Sequence, residues 1–274
     1  MAGFYEWDRA SMNSETGVRP SAIRRRVLSG ETVAGAMIFE FFAPGMPQVL
    51  KSAGCEFALF DMEHAGLGFE TLKMLAAGCR EVGIEPLVRV PRSEYHFMAR
   101  ALDVGVHGVM VPMVESAQEA RRIAEATHYP PAGRRGAAFG VAQDDYSGGD
   151  VKAKLAALNA RTLVIAQIES ERGMAELEGI AATPGIDVLW LGHFDLTNFL
   201  GIPGEFESPK YLDAVHAIVA AARRHAKGLG FMAADAGCAA RYRKLGFNMI
   251  AAGLDSSLLQ AAIRTTLAPL REAR

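Results

Sequence analysis

The 274-residue sequence has only three cysteines and no apolar run approaching the ~20 residues of a membrane-spanning helix. It has no like-charge block longer than Arg24-Arg25-Arg26, and its formal net charge is −2. A chain so evenly charged is a poor partner for nucleic acid or an anionic membrane surface. Cys55, Cys79 and Cys238 are odd in number and lack metal-ligand spacing, which fits a reducing cytoplasm. The opening Met-Ala-Gly-Phe-Tyr-Glu-Trp-Asp has no apolar core, so no secretory signal is expected. G-x-G-x-x-G, the Walker P-loop, G-x-S-x-G and H-E-x-x-H are all absent, which weakens nucleotide, serine-hydrolase and zinc-protease readings.

What is present is a large apolar content in a regular pattern. Half the residues are hydrophobic, enough for a sizeable core and against disorder. Strands are expected at Ala34–Glu40, Glu56–Asp61, Glu85–Val90, Gly108–Pro112, Thr162–Ile168, Asp187–Leu191, Gly228–Ala233 and Phe247–Ala251. Stretches with helical period lie between them, such as Ser116–Thr127 and Tyr211–Lys227. Short apolar strands alternating with amphipathic helices predict parallel βαβ units. Eight such units in a chain near the ~250 residues of the fold predict an α/β protein of the (β/α)8 barrel type. Residues 1–30 are expected to be a loose N-terminal extension with a short helix over Ser21–Leu28, and residues 31–274 a single domain. The long irregular segment Tyr129–Gly149 is expected to be functional or mobile.

Polar residues gather where the expected strands end: Asp61, Glu63 and His64, then Arg89, Gln167 and Glu169, and Asp195. In a closed barrel these ends converge on one mouth. Glu169 and Asp195 are a hard-oxygen pair of the kind that holds Mg²⁺ while leaving room for waters and substrate oxygens. Such an ion polarises a keto oxygen and stabilises an enolate. Arg89 suits the same oxygen, and His64 has the intrinsic pKa to move a proton near neutrality. Each residue also has a structural alternative. Asp195 could cap a helix starting at Leu196, His64 could cap a turn, and Arg89 could pair with a helix glutamate. Glu63 is favoured as a structural ion-pair partner, and Asp255 as a helix cap. His96, His128, His216 and His225 are expected at the surface, and Cys55 and Cys79 in the core. None of the seven lysines falls at the C-terminal end of an expected strand, which argues for metal rather than imine chemistry.

The set Asp61-Met-Glu-His64, Val88-Arg89, Leu102-Asp103-Val-Gly105, Val111-Pro112-Met113, Tyr129-Pro-Pro-Ala-Gly-Arg-Arg-Gly136, Gln167-Ile-Glu169, Gly192-x-x-Asp195-Leu196 and Gly253-x-Asp255 resembles the metal-dependent (class II) pyruvate aldolases. Within them, the chain is similar to the 4-hydroxy-2-oxoheptanedioate and 2-dehydro-3-deoxyglucarate aldolases of the aldolase/citrate lyase superfamily, over about residues 30–265. The resemblance implies a TIM barrel that makes or breaks a bond to a pyruvate enolate. It implies Glu169 and Asp195 as ligands of Mg²⁺ (or Mn²⁺ or Co²⁺), Arg89 on the pyruvate oxygen, and His64 as base. It further implies that Asp103 orients His64, that Asp61 supports the site, and that Gln167 lies near the pyruvate oxygens. It implies a homohexamer whose dimers exchange a C-terminal helix. One departure is His193, where the family pattern has proline in Gly-Pro-x-Asp-Leu; it could be a third ligand, a substrate contact or an outward-facing group.

The resulting expectation is a cytoplasmic aldolase acting on a small 2-oxo acid and an aldehyde. An oxaloacetate-type decarboxylase shares the enolate. A CoA-thioester lyase would want basic residues at the mouth, for which Arg134 and Arg135 are the candidates. A barrel without chemistry would bind neither metal nor pyruvate.

Overall fold

The computed structural model describes residues 16–271. Eight parallel strands close into a barrel in chain order: β1 (Val33–Ile38), β2 (Phe57–Asp61), β3 (Glu85–Arg89), β4 (Gly108–Val111), β5 (Leu163–Ile168), β6 (Val188–Leu191), β7 (Gly228–Ala233) and β8 (Met249–Leu254). The helices are α1 (Ala22–Leu28), α2 (Met46–Ser52), α3 (Phe69–Val82), α4 (Tyr95–Asp103), α5 (Ala117–Thr127), α6 (Val151–Arg161), α7 (Glu171–Ala175), α8 (Leu177–Ala181), α9 (His193–Phe199), α10 (Pro209–Arg224), α11 (Ala236–Leu245) and α12 (Asp255–Arg271). The strand–helix alternation read from the sequence is therefore the fold.

Strand side chains alternate between two cores because the pleat has period two. Met37, Phe57, Leu59, Leu87, Met110, Ile165, Trp190 and Met249 belong to the core inside the barrel. Ile38, Phe60, Val88, Val111, Ile168, Leu191 and Phe231 belong to the core between the sheet and the helices. Large inward side chains need empty neighbours. A Cβ at Gly230 would lie 2.1 Å from the Trp190 ring, so only glycine lets the indole cross the barrel there. α3 illustrates the outer layer: Leu72, Leu75, Ala76 and Cys79 recur at helical spacing and are fully buried. Each of the two leucines contributes about 1.5–3 kcal/mol by leaving water.

The structure departs from four expectations. Residues 16–30 are not a loose extension. α1 buries Ile23 and Val27 against the inner core, and Arg24 grips Asp187 through two hydrogen bonds of 3.0 and 2.8 Å. The expectation for residues 1–15 lies outside the described residues. The segment Tyr129–Gly149 is tied down at the strand-start end of the barrel: Asp144 accepts from Lys154 Nζ at 2.7 Å, and Asp145 accepts from Arg161 at 3.1 Å. His128 is buried rather than superficial, with Nδ1 3.0 Å from the carbonyl of Ala124. The last strand also begins two residues late. Asn248 is used as a connector instead, donating to Val27 O at 2.8 Å and accepting from Leu229 N at 3.0 Å.

Candidate active site

The inward parity of the strands decides which polar groups meet. Asp61 of β2 is in register with Arg89 of β3, and Gln167 of β5 with Trp190 of β6. All four are buried, near the ends of their strands. Arg89, Gln167 and Trp190 line a cavity of about 230 Å³, together with Phe39, His64, Glu169, His193 and Asp195.

Arg89 is held on two sides. Its Nε donates to Asp61 Oδ1 at 2.5 Å, and its Nη1 lies 3.0 Å from Glu63 Oε2. The Phe39 ring covers the guanidinium, 5.1 Å from ring centre to Cζ. Nη2 is left buried without a hydrogen-bond partner among the described residues. Asp61 is fully buried, and its second oxygen accepts the His64 backbone N–H at 2.7 Å. One carboxylate thus fixes both the arginine and the turn that presents His64. The His64 side chain is half exposed, with Nε2 3.6 Å from Glu63 Oε2.

Glu169 follows β5. One oxygen accepts the backbone N–H of Met113 at 2.7 Å, and the other accepts from the Gln167 amide. Met113 holds φ +52°, an uncommon left-handed conformation for a side chain of its size. That strain is kept at the point where its amide meets the glutamate. Across the mouth, β6 passes so close that a Cβ at Gly192 would lie 2.2 Å from Glu169 Oε2. Glycine at this position is what lets the Gly192-x-x-Asp195 turn bring Asp195, in the first turn of α9, toward Glu169. Burial pushes Glu169 up to about 7, against the pull of the Gln167 and Met113 donors, with Glu63 and Asp195 adding repulsion. Glu63 is likewise raised to about 7 by burial, even with Arg89 beside it.

The mouth therefore holds more carboxylate than its one guanidinium balances. Gln167 Oε1 is a further buried acceptor without a partner among the described residues. A divalent cation fits this donor set: Glu169 and Asp195 supply two carboxylates, and Mg²⁺ commonly takes one or two with waters completing its shell. No group of three or more His, Cys, Asp and Glu among the described residues is arranged to hold a metal, so an enclosed protein cage is not what the site offers. His193 sits in an aromatic setting, with ring centres 4.5 Å from Phe194, 4.9 Å from Phe231 and 5.4 Å from Phe206. Burial lowers it to about 4, so near neutrality it faces the cavity as an uncharged imidazole.

The structure brings Asp61, His64, Arg89, Gln167, Glu169, His193 and Asp195 to one mouth. It does not bring Asp103 to His64 within the chain. Asp103 ends α4, at the strand-start end, and accepts from Arg135 Nη2 at 2.6 Å. The His64 backbone is held by Asp61 instead. Arg135 is buried against Tyr129 and paired with Asp103 and Gln143, which removes it as a mouth-side anchor for CoA phosphates. Glu63, favoured from sequence as a structural partner, lies among the site carboxylates. Its position beside Asp61 was visible, but its neighbours across the barrel were not. Among the described residues no lysine lines the cavity, and Lys227 donates at 2.7 Å to Ile186 O, before β6 begins.

A parallel eight-stranded barrel with its polar groups at the C-terminal mouth is the architecture of TIM-barrel enzymes. Within that class the chain belongs to the HpcH/HpaI aldolase/citrate lyase family, whose model matches residues 37–262. It is 37% identical over 230 residues to a hydroxypyruvate/pyruvate aldolase of Paraburkholderia phytofirmans, covering 82% of this chain and 88% of that protein. It is 33% identical over 219 residues to a 5-keto-4-deoxy-D-glucarate aldolase of Klebsiella pneumoniae, covering 80% of this chain and 85% of that protein. An HpcH/HpaI aldolase from Desulfitobacterium hafniense superposes with a TM-score of 0.87 at 28% identity, over 91% of this chain and 96% of its own.

Proposed function

We propose that the chain is a divalent-metal-dependent aldolase. It reversibly cleaves a 4-hydroxy-2-oxo acid into pyruvate, or a close 2-oxo acid, and an aldehyde. The observation that carries this is the mouth itself, where Glu169 and Asp195 share an excess of negative charge in the cavity that Arg89 also lines. Aldolases of the family generally depend on a divalent metal. Bound by Glu169 and Asp195, the ion would supply Lewis acidity toward the keto acid; Mg²⁺ is the choice that suits two carboxylates.

The chain's own residues do the rest. Arg89 Nη2 donates to the 2-oxo oxygen, where negative charge develops as the C3–C4 bond breaks. Asp61 and the Phe39 ring keep the guanidinium in place, so the donor is preorganised. Gln167 lies beside the same oxygens. His64, presented by Asp61, takes the C4 hydroxyl proton as the aldehyde departs and returns a proton to C3. His193, neutral within its aromatic setting, contacts the substrate from the cavity lining.

The enzyme is further read as a cytoplasmic homohexamer. Leu258, Leu259, Ile263 and Leu270 of α12 stay exposed in the single chain, which supports burial against another copy. Among the described residues no helix is long and apolar enough to cross a membrane.

Cleavage of a 4-hydroxy-2-oxo acid, assayed before and after exhaustive EDTA treatment, tests the reading. Activity is expected to vanish and to return with Mg²⁺, Mn²⁺ or Co²⁺. Full activity after chelation would sink it.

A further inference from the structure

Asp255 is the first residue of α12, directly after β8, and is buried although charged. Its carboxylate is occupied in an unusual way for a helix-start residue. Oδ1 accepts the backbone N–H of Phe39 at 3.2 Å and of Ser256 at 2.9 Å. Oδ2 accepts the N–H groups of Glu40 at 3.0 Å and Phe41 at 2.8 Å. Three consecutive amides of the segment leaving β1 thus converge on one side chain from the far end of the sequence. Left without it, these donors would be satisfied only by water, because the segment has already left the strand ladder.

The backbone explains how the carboxylate gets there. Ala36 pairs with Ala252, but Met37 pairs with Leu254, so β8 carries one extra residue at Gly253. A bulge of this kind re-aims the residues that follow it. Here it accounts for the spacing in Gly253-x-Asp255: the extra residue ends β8 opposite the top of β1, and Asp255 meets the Phe39 amide.

Phe39 is the link to chemistry. It lines the cavity, and its ring covers the Arg89 guanidinium. We propose that Asp255 is a positioning residue that clamps the β1 exit, holding Phe39 over Arg89 and so keeping the guanidinium aligned for reaction. It touches neither substrate nor reacting atoms. It acts through Phe39, and a misplacement of about 1 Å in such a chain can cost ~10²-fold in rate. The kinetic part of this proposal rests on the aldolase reading above; the clamp itself does not.

The test uses the full-length protein with Asp255→Ala, Asp255→Asn, Phe39→Ala and the Asp255→Ala/Phe39→Ala double variant. Hydrogen exchange of the 39–41 amides, compared with those of α10, reads the clamp directly. Asp255→Ala is expected to speed exchange at 39–41 by more than ~10-fold while α10 stays unchanged. Asp255→Asn keeps one acceptor oxygen and is expected to fall between, and it serves in place of the alanine variant if that fails to fold. In turnover assays Asp255→Ala should lower kcat by ~10–10²-fold with Mg²⁺ affinity unchanged. The double variant should lose little beyond the worse single one, as expected for residues acting through one another. Unchanged exchange at 39–41 in Asp255→Ala and Asp255→Asn overturns the clamp. Faster exchange with undiminished kcat, or with fully additive losses, overturns its link to Arg89. A wild-type protein without aldol cleavage defeats the aldolase reading and leaves the exchange result to decide the clamp.

Discussion

At the strand-start end of the barrel, buried charges come in matched sets. Asp144 meets Lys154, Asp187 meets Arg24, and Asp145 meets Arg161 at 3.1 Å with Arg80 at 3.8 Å. At the mouth, Asp61, Glu63, Glu169 and Asp195 gather around Arg89 as the only Lys or Arg among the described cavity-lining residues. Both ends bury charge, but only the first neutralises it with its own side chains. The difference separates what closes the fold from what the fold presents. The lower network ties α1, α6 and the 129–149 segment to the barrel, whereas the mouth keeps acids that burial raises to about 7, ready for ligands that the chain does not supply.

If the contrast is real, substitutions at the two ends must fail differently. Lys154→Met should have the largest effect on stability. It leaves Asp144, fully buried, without its cation, a situation that costs about 3–5 kcal/mol. Chemical denaturation should show that loss, while kcat per folded enzyme stays within twofold or so of wild type. A large kcat defect with little loss of stability would erase the distinction. Arg89→Lys should do the reverse. Lysine keeps a positive charge beside Asp61 but removes the planar fork and Nη2. We expect kcat to drop ~10²–10³-fold, the usual effect of deleting one donor to a developing oxyanion, with stability changed less than by Lys154→Met. A change confined to KM would show that Nη2 binds the ground state only.

The same contrast explains what was readable in advance. Asp61, Arg89 and Gln167 were legible because a period of two and a strand end together fix direction and height, whatever the neighbours are. Gly192 and Asp195 were legible as a spacing, and the reason for the glycine, the close passage of Glu169, became visible only in three dimensions. At the strand-start end the short helix over 21–28 is legible, but its long-range partners are not. Nothing in the local pattern around Asp103 indicates Arg135, 32 residues later, and nothing around Arg24 indicates Asp187. His107, buried with Nδ1 2.9 Å from Glu85, is not legible in the sequence, because a lone histidine before a strand has no periodic signal. Glu63 is an ion-pair partner as the sequence suggests, with Arg89 Nη1 at 3.0 Å, but its electrostatic setting is not local. Its raised proton affinity comes first from burial, then from its near neighbour Asp61 and from Asp195, and of these the burial and Asp195, 132 positions away, act only once the barrel closes.

The smallest effect offers the sharpest check on the charge excess. Burial raises the folded-state pKa of Glu169 from 4.5 to about 7, and Glu63 behaves alike. Because the folded protein then binds protons more tightly than the unfolded chain, metal-free stability is greatest below about pH 4.5 as far as these two groups are concerned. It falls as pH rises toward 7 and levels off above that. Their repulsion makes the two shifts partly shared, so a combined loss on the order of 2–3 kcal/mol between pH 5 and pH 8 is expected. Saturating Mg²⁺ at pH 8 should offset it, with ~2.7 kcal/mol gained at a hundredfold excess over Kd. Glu169→Gln removes one of the charges at constant shape. In metal-free buffer at pH 8 it should be more stable than wild type, with a shallower pH slope and no response to Mg²⁺, yet inactive in cleavage. Thermal melts at pH 5 and pH 8 with and without Mg²⁺ measure all of this. A Glu169→Gln protein that is less stable than wild type at pH 8 would mean that the mouth already balances its own charge. The difference between the two ends would then be one of position only.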